Sequence, residues 1–298
     1  MHGPWTVEDG GETVTAFVKA RTGEAWSQVK RWVERGKIFV DGVAITDEAA
    51  RTKKGNVIEV KLGAPRPRDE TREGTLVYDD AHVVVIDKPA GISSVPYEER
   101  ETGTAMDLIR GAWRRMGKPA TSVALHVVHR IDRATSGLLM FAKSKRSERA
   151  LAMQLRTHDV DRIYLCVAHG RVESRTIESR LVVDRGDGLR GSTRFAEQGK
   201  HSITHVRALE HLRGATRLEV QLETGRTHQI RIHLAESGHP LVGETVYIRD
   251  YAGKPIDSPR LLLHAATLGF AHPVTGEMIR LRSEPPPDFE AVVAKLRT

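Results

Sequence analysis

The sequence predicts an α+β protein in which a large domain built on a mixed, largely antiparallel sheet follows a small unit of helices and short strands. Three observations lead there. Strand-like apolar runs outnumber helical ones and come in mixed order, without the regular alternation that makes a doubly wound parallel sheet. The segment from Lys61 to Thr75, KLGAPRPRDETREGT, has two prolines, two glycines and many charges but no apolar periodicity, which is the composition of a linker. A chain of 298 residues with 39% apolar composition is long enough to bury one substantial core and a small second one. The expected divisions are residues 1–62, a linker over 63–74, and residues 75–298.

In the first division Val14, Phe17 and Val18 recur at helical spacing. A second helix is expected over residues 25–35, with Val29, Trp32 and Val33 on one face and Lys30, Arg31 and Arg35 away from it; Gly36 stops it. Ile38 and Val40, the Asp41-Gly42 turn, Val43 and Ile45, and then Val57, Ile58 and Val60 read as short strands. The stretch WSQVKRWVERGKIFVDG resembles the S4 RNA-binding module, a short basic helix followed by Gly, a strand and an Asn/Asp-Gly turn. That module usually begins with Arg-Leu-Asp and carries an arginine where this chain has Trp26; here the first helix reads ETVTAFV. The resemblance implies RNA contacts from Lys30 and Arg31, whereas charge on a helix face by itself means only solvation.

The large domain opens with Leu76-Val77-Tyr78 and the apolar run Val83 to Ile86, which Pro89 and Gly91 terminate. Further strands are expected at residues 123–128, 138–141, 163–168, 205–209, 218–222 and 261–264, and helices near 104–116, 145–158 and 228–237. No repeat or low-complexity tract interrupts them.

The most informative stretch is HRIDRATSGLLMFAK, His129 to Lys143. It sets one carboxylate, Asp132, between Arg130 and Arg133, with Thr135, Ser136 and Gly137 expected as a turn before the apolar strand Leu138 to Phe141. An isolated Arg-x-Asp-Arg is ordinarily a surface ion pair. Here the acid falls in a connection between two sheet elements, where a rigid scaffold presents catalytic groups.

A second constellation, LETGRTHQIRIHLAESGHPLVGETVY, runs from Leu222 to Tyr247. Gly225 closes a strand, and Thr227 is expected to cap a helix carrying His228, Gln229, Arg231 and His233, with Ile230 and Leu234 on its buried face. An arginine held this way can fork a carboxylate and favour its charged form. His228 and His233 are poorly spaced for one helical face and no ligand set completes them, so no metal is expected. GDGLRG, Gly186 to Gly191, lacks the strand before it and the Lys-Ser/Thr that a phosphate loop requires, and no nucleophile elbow is present.

The balance of 46 Lys and Arg against 39 Asp and Glu, a net +7, suits a polyanionic partner without demanding one. Residues 1–61 hold 10 basic and 9 acidic side chains, leaving 36 and 30 for the rest, so most of the excess lies in the large domain. The single cysteine, Cys166, and the lack of a signal-like segment favour a reducing cytoplasmic compartment. No apolar run approaches the roughly 20 residues that span a bilayer. Without heptads or an obvious interface pattern, a monomer is expected.

DKPAG, HRIDRATSGLLMFAK, Arg162-Ile163-Tyr164, the Leu222 to Tyr247 stretch and LLLHAATLGFAHPVTGE together resemble the RluA-type pseudouridine synthases, in order, over residues 74–297. The resemblance implies a mixed sheet crossed by a central cleft and a cofactor-free conversion of an RNA uridine into its C-glycoside isomer. It makes Asp132 the nucleophilic carboxylate, attacking sugar or base, Tyr164 the ring that stacks on the target uracil, and Arg231 the partner of the Asp. Arg130 stands where some members fill the gap left by the flipped nucleotide. Arg133, Arg226 and the helix with Lys145 and Arg146 are expected on phosphates, His228 on the substrate side, and Lys88 of the KP motif both bracing the cleft and among the RNA-binding residues. Arg162 replaces the usual Lys and Ile131 the usual Leu, keeping charge and volume. An S4-like unit ahead of such a domain resembles the subset acting on large-subunit ribosomal RNA.

Alternatives remain at this stage: a synthase for transfer RNA, a non-catalytic RNA-binding or ribosome-assembly protein, or a glycosidase-like hydrolase. The last needs two carboxylates flanking one bond, and no second acid accompanies Asp132 in these motifs.

Overall fold

The computed structural model describes residues 2–45, 50–64, 75–96, 101–195 and 197–298. It divides into two compact units, Met1–Thr71 and Arg72–Thr298. Most of the expected linker, residues 65–74, lies outside the described residues.

The first unit runs β1 (His2–Thr6), α1 (Val14–Thr22), α2 (Trp26–Glu34), β2 (Ile38–Val40), β3 (Val43–Ile45) and β4 (Val57–Val60), with its strands in the order β1-β4-β2-β3. Thr13 caps α1, its hydroxyl accepting from the Ala16 N–H at 3.1 Å. Val14, Phe17 and Val18 of α1 meet Val29, Trp32 and Val33 of α2 over Ile38, Ile58 and Val60. Asp41 and Gly42 both take positive φ, 50° and 79°, the geometry of a tight hairpin turn. Strand β1 was not expected, because HGPWT carries a proline and no alternation; an edge strand tolerates both.

The second unit continues with β5 (Thr75–Asp79), β6 (Val83–Lys88), α3 (Ala105–Arg115), β7 (His126–Val127), β8 (Ser136–Ala142), α4 (Lys145–Arg156), β9 (Asp161–His169) and β10 (Arg175–Val182). Then come β11 (Gly191–Thr193), β12 (Lys200–Leu212), β13 (Ala215–Leu222), α5 (Gln229–Glu236), β14 (Leu263–Ala271), β15 (Met278–Arg282) and α6 (Pro287–Arg297). One sheet carries its described strands in the order β11-β10-β12-β13-β9-β14-β8-β6-β5, with β15 on β14 and β7 on β8. The fold is α+β and the sheet mixed and mostly antiparallel, as the mixed order of runs predicted.

Both faces of this sheet are covered. Leu139 and Phe141 of β8 pack with Ile109 and Trp113 of α3 and Ile230 and Leu234 of α5 on one face. Leu138 and Met140 point to the other face, where Leu151 of α4 packs. Strands buried on both sides read as continuous apolar runs, which is why Leu138 to Phe141 shows no alternation. Farther along the second face, Phe289, Val292, Val293 and Leu296 of α6 pack on Val167 and Leu262. That i, i+3, i+4, i+7 pattern was present in the sequence and went unread there.

Two expectations around the central motif need correction. The strand expected over residues 123–128 is reduced to the two residues of β7, and the loop holding Asp132 follows it. Ser136 and Gly137 do not form a turn; they are the first residues of β8. They pair with His264 and Ala265 in a parallel contact, the one parallel pairing among the described strands. Gly137 has φ 111°, and a Cβ there would lie 2.3 Å from the Ala265 carbonyl oxygen, so only glycine lets β8 and β14 approach. Ala265 faces Tyr164 of β9 on its other side. Gly137, Ala265 and Tyr164 therefore stand in one row across three strands.

Gly137→Ala combines forbidden backbone with a main-chain clash and is expected to cost on the order of 3 kcal/mol, read as a lowered urea midpoint. A midpoint equal to wild type would mean that the β8 and β14 contact does not depend on glycine.

Candidate active site

Asp132 sits in the loop between β7 and β8, and main-chain hydrogen bonds fasten that loop to its surroundings at the residues on either side of the acid. The Ile131 side chain is buried in the core. Its N–H donates to Ser94 Oγ at 3.1 Å, and the Ser94 hydroxyl donates to the Ile131 carbonyl at 2.7 Å. The Asp132 carbonyl accepts from the Thr135 N–H at 3.1 Å, and the Arg133 carbonyl from the Gly91 N–H at 2.7 Å. Behind the loop, the fully buried Lys88 ammonium gives its three protons to the carbonyls of Pro89 (3.0 Å), Ile92 (3.0 Å) and Arg133 (3.3 Å). Burial and the Arg260 charge pull the Lys88 ammonium down to about 7, against the opposing pull of Asp132. Lys88 is thus a staple between two loops and is not available to RNA, which corrects its placement among the RNA contacts.

Arg231 comes from α5, but the start of that helix differs from expectation. Thr227 does not cap it; His228 occupies the N-cap position in the left-handed region, φ 59° and ψ 17°. Buried Gln229 organises the entry instead. Its Oε1 accepts from the Thr224 hydroxyl (2.9 Å) and the Arg226 N–H (3.0 Å), while Nε2 donates to the Ile203 carbonyl and Thr204 Oγ1, both at 2.9 Å. His233, one turn on, is buried between Thr204 Oγ1 (2.9 Å) and Ser179 Oγ (2.8 Å), and burial pushes its imidazole down to about 4.

The fork of Arg231 closes on Glu244, not on Asp132. Nε and Nη2 donate to the two Glu244 oxygens at 2.8 and 2.7 Å, whereas Nη1 stands 3.6 Å from Asp132 Oδ2, an ion pair without a hydrogen bond. Burial would raise the Glu244 carboxyl, yet the hydrogen bonds and charge of Arg231 and the N–H groups of Val246 and Tyr247 hold it below the usual Glu range. The expectation that no second acid belongs to these motifs is therefore wrong. Glu244 is that acid, and its oxygens are taken up by Arg231 and by the N–H groups of Thr245 and Val246. The signal was a carboxylate one glycine past the apolar Leu241-Val242, in the same stretch as Arg231.

Tyr164 of β9 is 8% exposed, and burial, with a push from Asp132 against a pull from Arg162, takes its phenol up to about 12, so it is a neutral ring with a protonated hydroxyl at pH 7. Arg162 donates to the Glu223 carbonyl at 2.7 Å, while its buried Nε has no protein partner among the described residues. A cavity of about 890 Å³ brings these groups together. Asp132, Tyr164, Arg162, Arg231 and His228 line it, and Arg130, Arg133 and Arg226 stand exposed at its edge. Lys30 and Arg31 lie on α2 in the other unit; Arg31 donates to Gln28 Oε1 at 2.8 Å. Ser94, Glu244 and Tyr247 belong to the site region and were not singled out by sequence reasoning, which had named Gln229 only as a residue of the helix.

Residues 82–236 match the RNA pseudouridylate synthase family. The chain belongs to that family, whose members are isomerases acting on RNA. It is 34% identical over 297 residues to the uncharacterized RNA pseudouridine synthase YlyB of Bacillus subtilis, covering 97% of this chain and 96% of that one. It is 33% identical over 287 residues to ribosomal large subunit pseudouridine synthase D of Pseudomonas aeruginosa, covering 91% and 87%. In fold it is similar to human RNA pseudouridylate synthase domain containing 1, with a TM-score of 0.61, 23% identity, and 76% of this chain and 90% of that chain covered. The matched segment of this pseudouridine synthase holds Asp132, Tyr164 and Arg231 but ends before Glu244.

Breaking the buried pair by Glu244→Ala strands the Arg231 charge and is expected to cost about 3–5 kcal/mol in urea unfolding, more than a surface substitution by severalfold. His233 carries a pH signature. The unfolded imidazole takes up a proton near 6.5 while the folded one stays neutral to about 4, so stability falls as pH drops through that window. About 3 kcal/mol of that loss is attributable to this group, and His233→Gln should flatten the slope of unfolding free energy against pH.

Proposed function

We propose that this synthase converts uridine to pseudouridine in large-subunit ribosomal RNA, with the Asp132 carboxylate as nucleophile. The substrate reading rests on the relatives named ribosomal large subunit pseudouridine synthase D, 33% identical across 91% of this chain. The assignment of roles rests above all on one observation. Asp132 is the carboxylate that reaches the cavity with Arg231 beside it and Tyr164 in the wall.

In this reading the target nucleotide leaves its stack, at a cost of a few kcal/mol, and Arg130 fills the space behind it. The neutral Tyr164 ring stacks on the uracil. Asp132 attacks, the N1–C1′ bond breaks with its electron pair going to the uracil, and the base turns. C5 then bonds to C1′, the carboxylate is released, and the C5 proton is lost as N1 gains one, so the net change is an isomerisation. Arg231 offsets the carboxylate charge at the beginning and end of that cycle. Arg133, Arg226, Lys145 and Arg146 contact phosphates, which sets orientation without reading sequence.

The N-terminal unit, residues 1–62, is read as an S4-like RNA-binding domain working through Lys30 and Arg31, with Trp26 43% exposed on the same helix. The chain is taken to act as a cytoplasmic monomer. No helix of the described residues is long and apolar enough to cross a membrane.

Pseudouridine mapping of ribosomal RNA from cells lacking the gene tests this directly. A large-subunit site should vanish and return with wild type but not with Asp132→Asn, whose purified form is expected to lose at least about a thousandfold in rate while still binding RNA. If no ribosomal site changes and a transfer RNA site does, the substrate assignment is wrong. A wild-type rate for Asp132→Asn overturns the nucleophile.

A further inference from the structure

Asp132 is approached from two sides by groups that both originate at the buried Glu244. Along the first arm Glu244 holds the Arg231 fork, and Arg231 Nη1 stands 3.6 Å from Asp132 Oδ2. Along the second, Glu244 Oε1 also accepts from the N–H groups of Thr245 (2.9 Å), Val246 (2.8 Å) and Tyr247 (3.4 Å), which fixes the turn carrying Tyr247. The Tyr247 hydroxyl lies 2.8 Å from His228 Nδ1, and the two rings meet edge to face at 5.6 Å and 77°. His228 Nε2 is 4.0 Å from Asp132 Oδ1. The arms also touch each other, since the Arg231 guanidinium carbon is 5.3 Å from the centre of the Tyr247 ring.

The backbone of His228 bears a cost for this placement. A non-glycine residue at φ 59° is disfavoured by about 1–2 kcal/mol, and the His228 side chain makes no capping bond to α5 in return. The strained conformation puts the imidazole between Tyr247 and Asp132. Which nitrogen carries the proton follows from the charges around the ring. A lone pair on Nε2 would face the Asp132 carboxylate and be repelled, whereas an Nε2–H is attracted; the Tyr247 O–H then donates to Nδ1. Burial, followed by the Glu244 and Asp132 charges against the pull of Arg231, raises the Tyr247 phenol and keeps that O–H in place. Burial also lowers His228, although Asp132 pulls the other way. The charged and titratable groups facing the ring are Asp132 from the β7–β8 loop, Arg231 from α5, Glu244 and Tyr247 from the segment after α5, and Arg190 from the segment before β11.

We propose that His228 and Tyr247 are positioning residues for the nucleophile: Tyr247 fixes the imidazole with its proton on Nε2, and that N–H orients Oδ1 of Asp132 while Arg231 orients Oδ2. The proposal rests on the reading of Asp132 as nucleophile given above. At 3.6 and 4.0 Å neither arm is yet a hydrogen bond. Both shorten when RNA closes the cavity, as loose catalytic contacts do in complexes. Gripped on both edges, the carboxylate presents one fixed lone pair to the sugar or base, and the same two donors receive the charge when it is released.

The test uses the full chain and a large-subunit ribosomal RNA transcript tritiated at uracil C5, with tritium release as the readout. Tyr247→Phe keeps the ring over Arg231 and removes only the hydroxyl; kcat is expected to fall about 10–100-fold with KM within threefold of wild type. His228→Gln, which retains a side-chain N–H donor, should keep more activity than His228→Ala. Adding Tyr247→Phe to His228→Ala should cost nothing further, because the hydroxyl acts through the imidazole. A wild-type kcat for Tyr247→Phe, a loss confined to KM, or losses that multiply in the double variant overturns the proposal. Asp132→Asn in the same assay separates the two readings: if it is dead while Tyr247→Phe is unaffected, only the positioning role fails. Nitrogen NMR of the histidine rings needs no substrate. It should show His228, assigned by its absence in His228→Gln, with the proton on Nε2 at pH 7, and a proton on Nδ1 would sink the idea.

Discussion

The site depends first on a close contact between two strands that are far apart in the chain. Ser136 and Gly137 at the head of β8 run parallel to His264 and Ala265 of β14, and β14 is bonded on its other side to β9. This contact joins the strands from β11 to β14 to the strands β8, β6 and β5. At about 4.8 Å per strand, the row Gly137, Ala265, Tyr164 sets the tyrosine roughly 10 Å from the strand whose leading loop holds Asp132. The parallel contact requires a residue without a Cβ at 137. A glycine that looks like turn punctuation in the sequence is therefore what fixes the distance between Tyr164 and the strand that follows Asp132.

The second constraint is electrostatic. Taking a guanidinium and a carboxylate out of water costs several kcal/mol for each ion, and the Arg231–Glu244 pair offsets that only because nearly every polar atom is satisfied. Both side chains are almost wholly buried, with fork geometry and added backbone donors on the carboxylate. Such a pair is a poor way to gain stability and a good way to hold a charge still. Arg231 Nη1, the nitrogen outside the fork, is left toward Asp132. The arginine can stand beside the Asp132 carboxylate without being neutralised by it.

Positive charge is graded around this centre. Lys88 and Arg162 are buried and tied to backbone carbonyls, so they shape loops and cavity wall. Arg130, Arg133 and Arg226 are exposed at the edge, where desolvation costs little and a polyanion can reach them. Arg133 Nε and Arg226 Nε nevertheless donate to the carbonyls of Gly91 (2.9 Å) and His201 (3.2 Å), which limits how far their guanidinium groups stray. Burial thus separates arginines that organise the protein from those free to meet RNA, a distinction the net charge does not contain.

Local pattern in the sequence determined a great deal by itself. Helical spacing located α1, α2, α3 and α4, continuous apolar runs located β6 and β8, and an acid between two arginines ahead of such a run singled out Asp132. Each depends on residues within a turn or two of one another, so each is legible without the fold. Tertiary structure decided the rest. It gave Arg231 the partner Glu244, placed Lys88 behind the Asp132 loop, set His228 in a left-handed conformation that no local pattern announces, and made Gly137 a strand residue. Strand β10, half exposed near the sheet edge, also lacked the alternation that would have marked it. The physical reason is the same in every case. Periodicity encodes which face of an element avoids water, but the choice of partner is settled by packing between different segments, 13 residues apart for Arg231 and Glu244 and 128 for Ser136 and His264.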